Sequence, residues 1–504
     1  MTGSRVATAG MDAKRGGYRA TVSLGVLSLI PRVYAALAWS GKPVWDGHYY
    51  DSGARRIAQG LGYSSDIMVE GTTTWNPWCH YPVGYSGFLA GLYSVFGESQ
   101  HVAPLANAAL GALIVMLTHR IGLHWLSPRR AWIAALLCAV NLELVFYSPL
   151  VMTEILGTAL PLLALWIGLV WRNSWPGIGV AGGVLGLATL VQPQSILLAP
   201  LLGAIVVVGR LWSLRRALGA VLATTAALLV VTPWTLRNCY IMDGCAFVST
   251  NGGWNLAIGA FPRATGQFET LRPSDGCARM NGQVEEDRCW ASLGTEWIRK
   301  DVGRWIGLAP AKLSSCFDHA SFPVQYLAMA DPDSWPEPQR WRWMVWLSNM
   351  HRVLLCAAAF GFVAWRTRDA RGFPHGFVVE TAIRATLAGL IAYGCIAHGP
   401  TFWPLALGIV LTGLVVRPSA PLVGPVGLWI AGTFALFIAT HVVFFGQDRY
   451  HVRLIPLMCL LAAAVGRSAW QRSGRQQASE LGINRVGTVN RPIELAGNTE
   501  SCER

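Results

Sequence analysis

Apolar runs of about twenty residues recur from Ala20 to Gly466, and arginines punctuate their ends. A helical run of that length matches the hydrocarbon thickness of a bilayer. In lipid every backbone N–H and C=O must be paired within the protein, which leaves helices or a closed barrel. The runs are too long and too continuous for the alternating strands of a barrel. The sequence therefore predicts an all-α polytopic membrane protein. Composition agrees: 53% of the 504 residues are hydrophobic and only 13% are charged, against about 25% charged in a soluble domain. The net charge of +13 does not mark a nucleic-acid partner, because no soluble basic domain is visible. Arginines at the ends of apolar runs are instead the positive-inside pattern.

The alternation of spans sets an expected topology of about twelve transmembrane helices. Residues 1–19, with Arg5, Lys14, Arg15 and Arg19, form a cytoplasmic N-terminal segment without a core of its own. The first span, Ala20–Trp39, is long for a signal sequence and lacks a small-residue cleavage site, so it reads as a retained anchor. The chain then emerges on the outer face into a loop over 41–100. Spans follow at His101–Ile121, Ala131–Leu150, Thr153–Trp171, Gly177–Leu190, Ser195–Gly209 and Ala217–Trp234. A second outer segment over 235–344 has room for a small lobe, with a surface helix at Trp297–Leu313. The remaining spans are Val345–Trp365, Thr381–Ala397, Thr401–Val416, Gly424–Phe445 and Leu454–Gly466. The polar tail, 467–504, is expected to be disordered and cytoplasmic. The membrane domain is thus 20–466.

The stretch that interrupts this pattern most sharply is VWDGHYYDSGARRIAQGLGY, Val44–Tyr63. From Asp46 onward, apolar or small residues recur at helical spacing, which predicts an amphipathic helix lying at the interface. A polar stretch, Ser64–Thr74, separates it from a second, short or tilted surface helix. Asp46 has two readings. Its carboxylate suits a helix N-cap, and it equally suits a general base acting on an acceptor hydroxyl or amine. The two are compatible, since a helix N-terminus keeps the group ionised. Asp51 lies about a turn and a half further on and points elsewhere on an ideal helix.

Other polar residues fall at the outer ends of spans. Glu154, in LVMTEILG, is either a solvated turn residue or a second acidic group. Glu143 lies deeper and must face protein or water rather than lipid. Arg237, Arg449, Arg453 and His80 run against the positive-inside bias. They are headgroup anchors or ligands for a phosphate, to which the arginine fork is suited. Cys138, Cys356, Cys395 and Cys459 lie in apolar spans as core thiols. Cys79, Cys239, Cys245, Cys277, Cys289 and Cys316 fall outside the cytoplasm, where disulfides persist. Cys277 with Cys289 and Cys239 with Cys245 are candidate pairs. No Cys-x-x-Cys spacing occurs, so the sequence assigns no metal site.

Several of these stretches together resemble a known family. They are Asp46–Tyr63, then YPVGYSGFL, YSPLVMTE, GLATLVQP, TPWTLRN followed by STNGGWNLAIGAFPRATG, and DRYHVRLIP. In this order, over about 400 residues, the chain looks like the polytopic GT-C glycosyltransferases of the dolichyl-phosphate-mannose protein mannosyltransferase-like group, which includes aminoarabinose transferases acting on lipid A. The resemblance implies a sugar donor linked to polyprenyl phosphate and an inverting transfer on the outer face of the inner membrane. The acceptor would be a glycan, lipid or protein. The family's catalytic acid maps onto Asp46 and its second acidic residue onto Glu154. Its arginines map onto Arg237 and Arg449, with His80 near a third basic position. No cofactor is implied, and a divalent metal stays open. The chain departs from the family at Gly47, where a second acid is common, at His80–Tyr81–Pro82, and at Gln192–Pro193, where Arg-Pro is usual. The rival readings are a lipid or solute transporter or flippase and an O-antigen-ligase-like enzyme. A transporter would be expected to carry an internal repeat and broken mid-membrane helices; no clear repeat is visible, and the polar residues cluster at the outer surface.

Overall fold

The computed structural model describes residues 3–69, 72–208, 213–277, 280, 282–367, 385–386, 388–395, 401–415 and 424–464. The expected tail 467–504 lies outside the described residues, as do parts of the span Thr381–Ala397 and the arginines Arg368 and Arg371. Among the described residues the chain is mostly helical, with one departure from the all-α expectation. The polar stretch after the first surface helix is an antiparallel hairpin of Ser64–Val69 and Thr72–Pro77. Its β-branched and threonine content suits strands better than a helix.

Four described helices are long and apolar enough to cross a membrane: Gly17–Ala38, Val102–Leu123, Leu214–Ile241 and Gly424–Val443. Shorter apolar helices stand where other spans were expected, among them Glu154–Val170 and Trp175–Val191, and Val83–Phe96 stands where the second, short helix of the first loop was expected. Large apolar side chains on the long helices are exposed, including Val26, Leu27, Ile30, Val221 and Leu229. Such surfaces need an apolar surrounding.

Three expected segments are broken. Ala131–Leu150 is two helices, Pro128–Ala139 and Leu142–Phe146. The Asn141 side chain accepts from Leu144 N at 3.0 Å and starts the second helix. Arg32, buried on the first helix, donates to the carbonyls of Ala139 and Cys138 at 3.0 and 3.2 Å, so it satisfies the free end of the first. The expected Ser195–Gly209 span is a 3-10 turn, Pro193–Leu197, followed by Leu198–Val206. The expected surface helix Trp297–Leu313 is three pieces: Gln283–Lys300, Val302–Gly307 and Ala309–Phe317. In each case local capping or a proline overrides an unbroken apolar pattern.

Packing follows small residues. Trp175–Val191 lies along Leu214–Ile241. A Cβ on Gly186 would meet the Ala227 carbonyl oxygen at 2.6 Å, and one on Gly182 would collide with that of Ala223. Small residues four apart on both helices let the backbones approach this closely. The segment over 235–344 has its own small core, where Ile258, Phe261, Leu271 and Trp290 pack with Phe445 from the late turn. Two disulfides, Cys239–Cys245 and Cys277–Cys289, staple it; both are the pairs read from the sequence.

Candidate active site

Asp46 is the first residue of the helix Asp46–Ala58, and the position before it belongs to Trp45. Trp45 has φ +50°, a left-handed conformation that is costly for a non-glycine residue. Its ring is held against Phe322 and Tyr326, with centroids 5.5 and 5.8 Å away. The N-cap reading of Asp46 is therefore corrected. Its carboxylate turns away from the helix N–H groups, and Oδ1 accepts from the Tyr81 hydroxyl at 2.8 Å while Oδ2 accepts from Arg449 at 2.6 Å.

Arg449 lies on the 3-10 turn Asp448–Leu454, some 400 residues away in sequence. Its second terminal nitrogen donates to the Tyr450 hydroxyl at 3.2 Å. Its plane rests over the rings of Phe322 and Tyr450. The third nitrogen, Nε, is 3.9 Å from Glu154 Oε1. Glu154, like Asp46, is the first residue of a helix. Two carboxylates at helix N-termini thus converge on one guanidinium. Glu154 Oε2 is buried with no hydrogen-bond partner, and the residue lines the same space.

That space is a cavity of about 480 Å³, within the range of roughly 300–1,000 Å³ for small-ligand sites. Asp46, Glu154, Arg449 and Arg453 contribute its charged groups, with His80 and His441 beside them. Tyr49, Trp78, Tyr81 and Trp254 form aromatic walls. Gln192, one of the departures from the family pattern, lines it as well, and its side-chain amide N–H donates to the Thr153 hydroxyl at 3.4 Å.

The electrostatics separate these groups. Burial pushes the Asp46 carboxyl up. The Arg449 charge and hydrogen bond and the Tyr81 hydroxyl outweigh it and hold Asp46 below the usual carboxylate range. Burial pushes the Tyr81 phenol up, and the Asp46 charge adds to this, so Tyr81 stays a proton donor. Burial pulls His80 down despite Asp46, so its imidazole is neutral at pH 7. Burial lowers Arg453 to about 10, which leaves it cationic.

Two of the sequence candidates stand apart from the cavity. Asp51 is bonded to Arg55 at 2.8 Å and accepts from the Tyr93 hydroxyl at 2.6 Å. Arg237 donates to the backbone carbonyls of Tyr63 and Trp78 at 2.7 and 3.1 Å and lies against Trp234. Tyr81 was not singled out from the sequence as a partner of Asp46; its only signal was a place beside His80. Gly47 is explained by space: a Cβ there would meet the Val151 carbonyl oxygen at 2.7 Å and collide with the Tyr326 hydroxyl. A second acid at this position does not fit.

Residues 80–236 match the family described as dolichyl-phosphate-mannose-protein mannosyltransferase. The matched residues include His80, Tyr81 and Glu154 and stop just before Arg237. Asp46 and Arg449 lie outside the matched residues. No curated protein matches the chain in sequence. Solved structures are similar as well, among them the following three. The Archaeoglobus fulgidus oligosaccharyltransferase in complex with zinc and sulfate is 15% identical, with 92% of this chain and 51% of that one covered and a TM-score of 0.45. The archaeal oligosaccharyltransferase AglB from the same organism, with an inhibitory peptide and a dolichol-phosphate, is 13% identical, with 93% and 52% covered and a TM-score of 0.45. ArnT from Cupriavidus metallidurans, bound to undecaprenyl phosphate, is 15% identical, with 84% and 77% covered and a TM-score of 0.35. The chain spans about half the length of the archaeal proteins.

Proposed function

We propose that the chain is a membrane glycosyltransferase. It moves a sugar from a polyprenyl-phosphate donor to an acceptor hydroxyl or amine on the outer (periplasmic) face of the inner membrane, with inversion at the anomeric carbon. The observation that carries this reading is the posture of Asp46: a helix-opening carboxylate that leaves its own helix unbonded and lines a cavity with Arg449, Arg453 and Glu154. Asp46 is the general base. The acceptor's proton passes to it as the acceptor attacks the anomeric carbon opposite the phosphate. The bond from that carbon to the phosphate oxygen breaks, and the lipid phosphate leaves with the electron pair.

Arg449 couples the two events. Its guanidinium is bonded to Asp46, and a phosphate within its reach competes for the same donors. As negative charge grows on the leaving phosphate, the pull on Asp46 weakens and its carboxylate becomes a better base. Arg453 adds a second positive charge, and His80 lines the same cavity. Glu154 orients the acceptor through its unpartnered Oε2. Arg237 and Asp51 hold the surface helix and hairpin in place rather than touching the donor. The aromatic walls suit the C–H faces of a sugar ring. The outer-face assignment is supported by the two disulfides, which persist in oxidising compartments.

The test is donor turnover. Purified protein in detergent is incubated with polyprenyl-phosphate sugars of several kinds, and consumption of each is followed. Asp46→Asn is expected to abolish turnover while melting temperature and elution volume stay near wild type. Full activity in that variant removes Asp46 from the mechanism. Facilitated movement of a lipid across proteoliposomes with no donor consumed favours the transporter reading.

A further inference from the structure

We infer that Glu143, His351 and His451 form a buried divalent-cation site, of the kind zinc occupies, behind the Arg449 turn. The three come from distant parts of the chain: the short helix Leu142–Phe146, the long helix Glu337–Thr367 and the 3-10 turn Asp448–Leu454. Their ligand atoms all lie within 4.8 Å of one another, and all three residues are buried. The break at Val140–Asn141 is what turns Glu143 inward.

The hydrogen bonds around the imidazoles fix which nitrogens face the centre. His451 Nδ1 is 2.6 Å from the Cys316 carbonyl, and His351 Nε2 is 3.1 Å from the Phe317 carbonyl. A carbonyl only accepts, so both of these nitrogens carry hydrogen. The opposite nitrogen of each ring then points at Glu143. His451 Nε2 is 2.7 Å from Oε1, and His351 Nδ1 is 4.0 Å from Oε2, so each carboxylate oxygen faces one ring. His351 Nδ1 is buried with no hydrogen-bond partner. The rings are stacked 3.8 Å apart, which makes protonation of both costly.

An imidazole whose far nitrogen donates to a backbone carbonyl is the usual arrangement around a bound metal. It sets the tautomer and leaves the lone pair for the cation. Two imidazoles and a two-oxygen carboxylate offer four donors, a set that suits a first-row divalent ion with bonds of about 2.0–2.2 Å. Such bonds need donor separations of roughly 3–3.5 Å, so sub-ångström shifts of these side chains close the site. The cation would fix His451 two residues beyond Arg449, and so hold the turn that carries the guanidinium. This site is separate from the cavity, and its test needs neither donor nor acceptor.

Tag-free protein, purified without chelator, is analysed for metals by mass spectrometry. About one divalent ion per chain is expected. Stripping with dipicolinate should lower the melting temperature by several degrees, and re-adding zinc should restore it. Cobalt substitution should give visible absorption from nitrogen and oxygen ligation. His351→Gln is expected to lower metal content at least tenfold; should that variant not fold, X-ray absorption on the wild type reads the two imidazoles directly. The inference is overturned if wild-type protein carries no metal, takes up none from added zinc, cobalt or manganese, and melts at the same temperature with and without them.

Discussion

Replacing Arg449 by glutamine removes the counter-charge that Asp46 and Glu154 share. The side chains of Arg449, Asp46 and Glu154 are 14%, 19% and 4% exposed, so water offers little compensation. Truncating one partner of a buried ion pair costs about 3–5 kcal/mol, because the other charge stays buried and unpaired. The chain can relieve that cost by protonating Asp46, whose carboxyl pKa then rises. Either route removes the base. A loss of about 3–5 kcal/mol of transition-state stabilisation corresponds to roughly a hundredfold to a few thousandfold in rate. The assay is turnover of a polyprenyl-phosphate sugar at saturating acceptor, with melting temperature measured in parallel. Arg449→Gln should lose activity to that extent, and its melting temperature should fall. Asp46→Asn combined with Arg449→Gln should melt higher than Arg449→Gln alone, because the orphaned carboxylate is gone. Strictly additive effects in this cycle, or an Arg449→Gln enzyme within threefold of wild type, would refute the coupling.

The pH dependence has a definite sign. The Asp46 pKa is depressed on folding, so its stabilising contribution is complete above the unfolded value of about 3.9 and is lost as pH falls through the folded value. The profile of kcat/KM should therefore show no acid limb from this group between about pH 5 and 8, and such a limb should move up in Arg449→Gln. Gly47→Ala places a methyl against the Tyr326 hydroxyl and the Val151 carbonyl, and should cost about 1–3 kcal/mol in a thermal melt while lowering activity through the displaced Asp46. Asp51→Asn and Arg237→Gln should reduce melting temperature with donor KM within about threefold of wild type. A selective rise in donor KM for Arg237→Gln would return that arginine to the phosphate.

The membrane class, the helix after the first span and both disulfides were legible because each depends on local pattern: run length, helical spacing, cysteine position. The breaks were less legible. Val140–Asn141 interrupts an apolar run that reads as continuous, and only the Asn141 cap and the Arg32 contact make the interruption stable. The hairpin at Ser64–Pro77 was hidden by its polarity, which reads as a loop. For the site, sequence supplied the separate acids and bases, but it did not pair them. Asp46 and Arg449 are brought together by the fold of the whole chain, and Tyr81 by aromatic packing. His351 carries no local signal at all; it is one histidine in a long helix, and its meaning appears only beside Glu143 and His451.

The turn Asp448–Leu454 gives these separate findings a common physical basis. In a 3-10 helix, residues three apart lie above one another. Asp448 and His451 are such a pair, and both are buried. Asp448 accepts from the backbone N–H groups of Ser321 and Phe322, the latter at 2.8 Å, while His451 binds Glu143 and the Cys316 carbonyl. Tyr450 and Arg453 are a second pair, and with Arg449 they line the cavity. One side of the turn is therefore anchored and the other works. A 3-10 turn has poorer hydrogen-bond geometry than an α-helix and does not hold an arginine to sub-ångström accuracy by itself. Anchors on the opposite side supply the rigidity that a guanidinium shared between a base and a leaving group requires. A cation at His451 would strengthen the anchored side without touching the reacting atoms.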